Sequence, residues 1–319
     1  MSAESPRSTK VAVVGAGSVG ATLAYACLIR GVAHTIVLYD LNAEKVKAEV
    51  LDLRHGLQFV PRAEVVGADD VAVCAGADVI VVTAGAKQRP GQTRLELAGS
   101  NVAMCRTLVP QLVEVAPEAV LIMVTNPVDV LTYAAIKVAG LPRERVFGSG
   151  TVLDSSRLRD LVARRCGVAV QNVHVWIAGE HGDSEIPLWS SASVGAIPLR
   201  HFNATRRCGL DEPAQERMAD EVVEAAEQII RGKGATNYAI GLAAARIIEA
   251  VVQDEQRVLP VSTLLENYRG INDVCLSVPC VVARGGVDAV LDIPMSEAET
   301  DGLRRSADTV RSITQALGL

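Results

Sequence analysis

The chain has 319 residues, of which 31 are Lys or Arg and 37 are Asp or Glu, so its net charge is −6. At about 150 residues per domain this length predicts two domains, and it is sufficient to bury a large core. The mild acidity without a basic tract argues against nucleic-acid binding, and the 49% of apolar residues exclude a disordered chain.

The first predicted elements lie in nineteen charge-free residues between Lys10 and Arg30. Basic residues precede this stretch, so it imitates a signal peptide or a membrane span. The three glycines inside it, however, disfavour a continuous apolar helix. We interpret the stretch as a buried strand, a tight turn and a buried helix, and we expect no contact with a membrane.

The first half of the chain alternates short β-branched runs with helical stretches. The runs predict strands at 10–14, 35–39, 63–67, 78–83, 119–124 and 145–147. Helices are predicted between them, at 18–30, 43–57, 95–115 and 128–139. Continuous apolar runs are typical of parallel strands covered on both faces, and the alternation is typical of βαβ units. The predicted fold class is therefore α/β, with a doubly wound parallel sheet over residues 1–148.

The pattern changes over residues 149–319, which we predict to form a second domain. A helix at 151–166 is followed by short strands near 172–177, 186–189 and 192–195, then by helices at 211–231 and 235–252. Residues 257–292 are predicted to form antiparallel strands, in the apolar runs VLPVSTLL, DVCLSVPCVVA and VDAVLDI. A capping box from Ser296 to Glu299 opens a final helix.

A glycine pattern joins the first strand to the first helix. Gly15, Gly17 and Gly20 form a Gly-x-Gly-x-x-Gly motif, with Ser18 and Val19 inside it. The first glycine permits a tight turn, the second lets the backbone approach a pyrophosphate, and the third lets helix and strand pack closely. Since free amides at a helix start favour phosphate, the motif predicts a dinucleotide site.

A carboxylate strengthens this prediction. Asp40 ends the next predicted strand, twenty residues after Gly20. It can accept hydrogen bonds from both ribose hydroxyls of NAD, and its charge would repel the additional phosphate of NADP. No arginine follows closely. NAD is therefore the expected cofactor; the alternative is a glycine turn with a surface aspartate.

Three polar segments stand out in this apolar chain. The loop 83–94 follows a strand end, where ligands bind in such sheets, and its Pro-Gly pair predicts a lid. Asn126 and the proline after it come just past another strand. The third segment pairs Asp154 and Arg157, on one helix, with a glycine-flanked loop that contains His181.

These residue types suit hydride transfer from an alcohol. A base must take the hydroxyl proton as hydride leaves the carbon, and the same group returns the proton in the reverse direction. His181 fits because the pKa of histidine lies near neutrality. Asp154 is a candidate to orient it. Arg157 shares a helix face with Asp154 and could bind a substrate carboxylate bidentately.

The sequence from about residue 10 to 319 resembles the L-lactate dehydrogenases of the lactate/malate dehydrogenase superfamily. The resemblance rests on the motifs GAGSVG, TAGAKQRPGQTR, TNPVDVLTY, GTVLDSSRLR, GEHGDSE and KGATNYAI. It implies a Rossmann domain followed by an α+β substrate domain. It also implies reversible, NAD-dependent oxidation of L-lactate to pyruvate.

The resemblance implies roles for single residues. His181 matches the catalytic acid/base and Asp154 its partner. Arg157 matches the arginine that binds the substrate carboxylate. Arg94 polarises the substrate carbonyl and stabilises charge that grows in the transition state. Asn126 hydrogen-bonds the reacting oxygen.

Further positions complete the predicted pocket. Thr236 lies near the short end of the substrate, and Ile240 packs on the nicotinamide. The cofactor side also includes Thr83, Gly85 and Asn126. Simpler explanations remain open for single residues, such as a helix cap, a surface ion pair or a turn before proline.

One loop position bears on which acid is the substrate. Related malate dehydrogenases carry an arginine two residues before the Pro-Gly pair, where this chain has Gln88. With one carboxylate on Arg157 and a protonated His181 beside Asp154, a second carboxylate would remain buried and unpaired. Burying such a charge costs about 3–5 kcal/mol, which corresponds to a preference of about 10²–10⁴-fold for the monocarboxylate over the dicarboxylate. Gln88 therefore favours pyruvate over oxaloacetate.

A possible regulatory site lies elsewhere. Arg159 lies two residues beyond Arg157, and His174 alternates with valines on a predicted strand. In the bacterial enzymes that the chain resembles, an arginine and a histidine at these positions bind fructose 1,6-bisphosphate across a subunit interface. The resemblance thus implies this effector and a homotetramer. The alternative is an ordinary surface pair.

Other functions remain as alternatives. They are a malate dehydrogenase, a broader 2-hydroxy acid dehydrogenase and a non-catalytic NAD-binding protein. A zinc alcohol dehydrogenase is disfavoured, because the seven cysteines form no Cys-x-x-Cys pair and no plausible cysteine–histidine ligand set occurs. The odd number of cysteines also argues against a disulfide framework, so the cytoplasm is the expected location and no metal is expected.

Overall fold

The structure is a computed structural model that describes residues 9–86 and 93–319, with the backbone alone at Arg94. Its strands occur in three sheets. In chain order they are β1 (Lys10–Val14), β2 (Thr35–Tyr39), β3 (Glu64–Ala68), β4 (Val79–Val82), β5 (Val120–Met123), β6 (Val146–Gly148), β7 (Val173–His174), β8 (Ile177–Ala178), β9 (Ile186–Pro187), β10 (Ser193–Val194), β11 (Ile197–Pro198), β12 (Arg257–Leu265), β13 (Val274–Ala283) and β14 (Gly286–Val290).

Helices cover the sheets. They are α1 (Ser18–Arg30), α2 (Ala43–His55), α3 (Arg94–Val115), α4 (Val128–Ala139), α5 (Val152–Cys166), α6 (Leu199–Arg206), α7 (Glu212–Lys233), α8 (Tyr238–Val252) and α9 (Glu297–Ala316). Each helix predicted from the sequence is present, with ends shifted by up to three residues. Helix α6 was not predicted, because eight residues with several polar side chains carry a weak helical pattern.

The first six strands form a parallel sheet in the order β3-β2-β1-β4-β5-β6. The order reverses between β1 and β4, as in a doubly wound Rossmann sheet, and ligands bind at such a reversal. The predicted fold class is confirmed. The strands are continuous apolar runs because both faces are covered: Val79–Val82 and Val120–Met123 are buried throughout.

The antiparallel strands of the second half extend the same sheet. β12 pairs with β6 at Ser262 and Gly148, and β13 and β14 follow, which makes nine strands in one sheet. The predicted strand in the run VDAVLDI ends at Val290, three residues early. The main core is consequently shared, since buried residues such as Val13 and Val278 belong to one apolar cluster.

Local sequence signals mark the helix ends. Helix α1 is capped at its C-terminal end by Gly31, which adopts the left-handed conformation with φ of 62°. Capping boxes open α3 at Thr93 and α9 at Ser296, as the sequence predicts for the latter. Each box satisfies backbone N–H groups that the first helical turn leaves without partners.

The described part of the chain contains no helix long and apolar enough to cross a membrane. The charge-free stretch near the N-terminus is divided between β1, the glycine turn and α1. All seven cysteines lie within the described residues, and they are buried and unpaired.

Replacement of Ser296 by Ala should lower the free energy of unfolding by about 1 kcal/mol, because the N-cap oxygen that accepts the Glu299 N–H is lost. Urea denaturation measures the change. Ser312→Ala is the matched control, since Ser312 is exposed inside the same helix and alanine is a better helix former. Equal losses in the two variants would contradict a role for the cap.

Candidate active site

A cavity of about 1550 Å³ lies along the carboxyl ends of the parallel strands. It exceeds the roughly 300–1,000 Å³ of most small-molecule sites. Gly15 after β1, Asp40 after β2, Thr83 after β4 and Asn126 after β5 all line it. The cavity therefore begins at the point where the strand order reverses, and it has room for a dinucleotide and a small substrate.

The glycine turn has the geometry that a pyrophosphate requires. Gly15 has φ of +102°, and a Cβ there would lie 2.6 Å from the backbone nitrogen of Ala84. At Gly20 a Cβ would lie 1.8 Å from the carbonyl oxygen of Gly15, so only glycine lets α1 approach this close. Gly17 faces open space at the N-cap of α1, whose first turn carries no acidic residue. The helix start thus presents free amides to an anion.

Asp40 is held at the rim of this cavity. One carboxylate oxygen accepts the Ala16 N–H at 2.8 Å and the other accepts the Asn42 N–H at 3.1 Å. Each oxygen can accept further hydrogen bonds. The glycine turn and the carboxylate together fit the pyrophosphate and a ribose of NAD.

At the other end of the cavity a buried carboxylate contacts two cationic groups. Nδ1 of His181 donates to Oδ2 of Asp154 at 2.6 Å, and Nη1 of Arg157 donates to Oδ1 at 2.8 Å. The side chain of Asp154 is only 2% exposed, whereas His181 and Arg157 line the cavity. Asp154 and Arg157 meet because they lie three residues apart on α5.

The charges of this cluster shift its proton affinities. Burial alone would lower the pKa of His181, but the charge and hydrogen bond of Asp154 outweigh it, and the pKa rises to about 9. Burial would raise the pKa of Asp154, but the neighbouring His181 and Arg157 hold it below its usual value. His181 is therefore an imidazolium at neutral pH, paired with a carboxylate.

Glu185 is a third acid beside this pair. Side-chain atoms of Asp154, His181 and Glu185 all lie within 4.8 Å of one another. Burial and the charge of Asp154 raise the pKa of Glu185 to about 8. Glu185 was not predicted as a site residue, since nothing in a polar loop distinguishes one glutamate from its neighbours.

The structure brings most of the predicted site residues into this one cavity. Those that line it are Gly15, Gly17, Ser18, Val19, Asp40, Thr83, Gly85, Asn126, Arg157, His181, Thr236 and Ile240. Asp154 lies behind His181, and Gly20 packs under the turn. Gln88 and the side chain of Arg94 lie outside the described residues.

The predicted regulatory residues lie away from this cavity. The guanidinium of Arg159 stacks on Trp176 at 4.2 Å, and its Nε donates to the carbonyl of Val175 at 3.0 Å. Its Nη2 is buried without a hydrogen-bond partner among the described residues. Burial lowers the pKa of Arg159 to about 10. His174 is exposed on β7, next to Val175.

Two buried polar residues near the site were also missed. Asn101 accepts the Ala86 N–H at 2.8 Å and donates to the carbonyl of Asn126 at 2.9 Å, which ties two of the cavity loops together. Asp129, 2% exposed on α4, is bonded to the backbone of His181. Asp129 is the single acidic residue of the apolar helix α4, which was the available signal for it, whereas Asn101 lies among other polar residues of α3 and carries no such signal.

Comparisons with known proteins identify the family of the chain. Residues 9–148 match the lactate/malate dehydrogenase NAD binding domain, and residues 151–317 match the lactate/malate dehydrogenase alpha/beta C-terminal domain. Together these models cover nearly the whole chain.

Individual known proteins are similar to the chain over nearly its whole length. The chain is 50% identical to an L-lactate dehydrogenase of Bifidobacterium animalis subsp. lactis over 97% of each chain. It is 42% identical to that of Acetivibrio thermocellus, over 97% of this chain and 98% of the relative. A lactate dehydrogenase from a Medee basin deep-sea metagenome superposes with a TM-score of 0.95 at 37% identity, over 98% of this chain and all of that one. The chain therefore belongs to the lactate/malate dehydrogenase family and is an oxidoreductase that uses NAD.

Proposed function

We propose that the chain is an L-lactate dehydrogenase, which interconverts L-lactate and pyruvate with NAD as the redox partner. The observation that carries this proposal is the buried carboxylate of Asp154, bonded to both His181 and Arg157 at the end of the dinucleotide cavity. The arrangement supplies a proton donor and a carboxylate receptor side by side. The names of the relatives support lactate as the substrate.

The cofactor end of the site holds and orients NAD. The amides at the start of α1 would bind the pyrophosphate, and Asp40 would bind a ribose. Ile240 would pack on the nicotinamide ring, with Thr83 and Gly85 beside it. When bound, the nicotinamide supplies or accepts the hydride.

His181 moves the proton. Because Nδ1 donates to Asp154, Nε2 is the nitrogen left to face the substrate. In pyruvate reduction the imidazolium gives its Nε2 proton to the carbonyl oxygen as the carbon gains hydride. In lactate oxidation the neutral ring takes the hydroxyl proton back. Asp154 stabilises the charged ring in both directions.

Three other side chains would place the substrate. Arg157 uses one nitrogen on Asp154, and the remaining N–H groups of its planar fork can bind the substrate carboxylate. Arg94 would polarise the carbonyl, and Asn126 would hydrogen-bond the reacting oxygen. Thr236 would border the methyl group. These roles rest on the family resemblance and on the positions of Arg157, Asn126 and Thr236 on the cavity wall.

We further propose that residues 1–148 and 149–319 act as cofactor and substrate domains, in keeping with the two matched family ranges. We propose a homotetramer in the cytoplasm. Seven unpaired buried cysteines are consistent with a reducing compartment.

We also propose that fructose 1,6-bisphosphate activates the enzyme at Arg159 and His174. The specific observation is the buried Nη2 of Arg159, which has no hydrogen-bond partner among the described residues; a phosphate oxygen that reached it would satisfy this donor. His174 is exposed on β7 and supplies a second polar side chain for the effector.

Wild-type protein should reduce pyruvate faster than oxaloacetate, and Gln88→Arg should shift that preference toward oxaloacetate by about 10²–10⁴-fold, because the new cation pairs the second carboxylate. NADH oxidation with each acid measures kcat/KM. Gln92→Arg, the same change in the same loop, is the control. Faster reduction of oxaloacetate by wild type would favour a malate dehydrogenase, and no turnover of either acid would favour a binding protein.

The pH dependence of turnover should follow His181. Pyruvate reduction uses the imidazolium, so its kcat/KM should be constant up to about pH 9 and fall tenfold per unit above it, while lactate oxidation should rise over the same range. Asp154→Asn removes the charge that raises the pKa. At pH 7.5 a histidine with a pKa near its usual 6.5 is only about one-tenth protonated, so reduction should fall at least about tenfold.

Asp160→Asn is the matched control for that variant, since Asp160 lies on the same helix in a surface pair with Arg164. It should leave the pH profile unchanged. An Asp154→Asn enzyme with the wild-type alkaline limb would contradict the assignment of His181 as the proton donor.

Fructose 1,6-bisphosphate should lower the apparent KM for pyruvate in wild type, and Arg159→Gln and His174→Gln should abolish that response. Saturation curves with and without the sugar bisphosphate, on protein whose tetrameric state is checked by light scattering, measure it. Arg164→Gln, an exposed arginine on the same helix, should keep the response. An unchanged curve for a wild-type tetramer would overturn the effector proposal.

A further inference from the structure

The loop that carries His181 is fastened to the rest of the molecule at consecutive residues. The Gly179 N–H donates to the carbonyl of Ser277 on β13 at 2.8 Å. The next residue, Glu180, donates its N–H to Oγ of Ser306 on α9 at 2.7 Å. Each anchor belongs to a different element, so the approach to His181 is fixed in more than one direction.

The third anchor is at His181 itself. Its N–H donates to Oδ2 of Asp129 at 2.7 Å, while Oδ1 of Asp129 accepts from Oγ of Ser262 on β12 at 2.6 Å. Asp129 is 2% exposed and Ser262 is fully buried. One carboxylate therefore links α4, the His181 loop and β12 away from solvent.

Asp129 is also close in sequence to the other side of the reaction site. It lies three residues after Asn126, in the first turn of α4. Asn126 and His181 line the same cavity but come from opposite halves of the chain. A rigid link between Asp129 and the His181 backbone therefore fixes the separation of these two side chains.

We propose that Asp129 is a positioning residue, which holds the imidazole of His181 in register with Asn126 through its hydrogen bond to the His181 backbone. The inference rests on the proposed proton transfer by His181. Asp129 touches neither substrate nor cofactor in this proposal. It acts through the placement of a ring whose productive geometry tolerates errors of only a fraction of an ångström.

The side-chain oxygen of Asp129 that accepts the His181 N–H, rather than the negative charge of Asp129, positions the imidazole. Burial raises the pKa of Asp129 to about 6, although the hydrogen bonds from Ser262 and His181 oppose the shift. The charged groups that act on Asp129 are His181 and Glu180, and Cys275 on β13 is a neutral thiol because burial keeps its pKa well above the usual value. An amide can keep both contacts, since its oxygen accepts the His181 N–H and its NH₂ donates to Ser262.

The kinetic test compares Asp129→Ala with Asp129→Asn. Loss of the acceptor should lower kcat for pyruvate reduction by about 10²-fold with little change in the NADH dissociation constant, because ring placement and not cofactor binding is affected. The Asn variant should stay within about threefold of wild type. Ser262→Ala is the matched control, since it removes the other hydrogen bond of Asp129 and leaves the His181 contact intact; it should also stay within about threefold.

A second measurement does not depend on activity. In protein labelled with ¹⁵N-histidine, the amide of His181 should exchange slowly in wild type and in Asp129→Asn, and at least tenfold faster in Asp129→Ala. The other four histidines serve as internal controls. If the Ala variant does not fold, the wild-type and Asn proteins still test the anchor, because rapid exchange of the His181 amide in either would overturn it.

The pH dependence of the melting temperature tests whether burial raises the pKa of Asp129. A carboxyl whose folded pKa of about 6 exceeds its unfolded value stabilises the fold at low pH, and that contribution is lost as pH rises through about 6. The amide of the Asp129→Asn variant does not titrate, so the melting temperature of this variant relative to wild type should increase between pH 4 and pH 7. A difference in melting temperature that stays constant over this pH range would contradict a raised pKa at Asp129.

The outcomes separate this inference from the proposed function. Wild type that turns over no 2-keto acid contradicts the dehydrogenase proposal, whereas the amide-exchange and stability results still decide the anchor. An Ala variant with wild-type kcat, or an Asn variant impaired as severely as the Ala variant, overturns the positioning role.

Discussion

The chemistry proposed for this molecule depends on one buried carboxylate that is shared by two cations. Asp154 accepts hydrogen bonds from His181 and Arg157, and its side chain is 2% exposed. An unpaired charge at such a depth costs about 3–5 kcal/mol, so the three groups stabilise one another. The pairing raises the pKa of His181, fixes which ring nitrogen faces the cavity and leaves part of the arginine fork available. In the proposed mechanism, proton transfer and carboxylate binding therefore have a common structural origin.

The fold brings this cluster to the cofactor by means of a continuous sheet. The glycine turn and Asp40 lie at the carboxyl ends of β1 and β2, in the first half of the chain. His181 belongs to the second half, whose strand β12 joins β6 through Ser262 and Gly148. Asp129 bonds to both that strand and the His181 loop. The two ends of the site are therefore connected through backbone pairing and buried hydrogen bonds, which supports a precise distance between them.

Much of the architecture was predictable because the signals are local. Continuous β-branched runs located the parallel strands, and the glycine spacing with Asp40 located the cofactor end of the cavity. The three-residue spacing of Asp154 and Arg157 predicted their shared face, and the structure places them in contact. Helix α6 was not predicted, and the last strand was predicted to extend beyond its observed end at Val290. A short polar helix and the end of an apolar run both depend on contacts with neighbouring elements, which the sequence does not show.

The sequence by itself determined the strand–turn–helix that suits a dinucleotide, the caps that start helices and the residue types of the site, since each depends on neighbours along the chain. Only the tertiary structure decided which of those groups are buried together. The pKa of Asp129 near 6 and that of Glu185 near 8 arise from desolvation by distant segments. Likewise the sequence left Arg159 as either an effector residue or part of an ordinary surface pair, whereas the fold stacks it on Trp176 with one nitrogen lacking a partner among the described residues. Burial is a property of packed elements, so no spacing in the sequence could specify it.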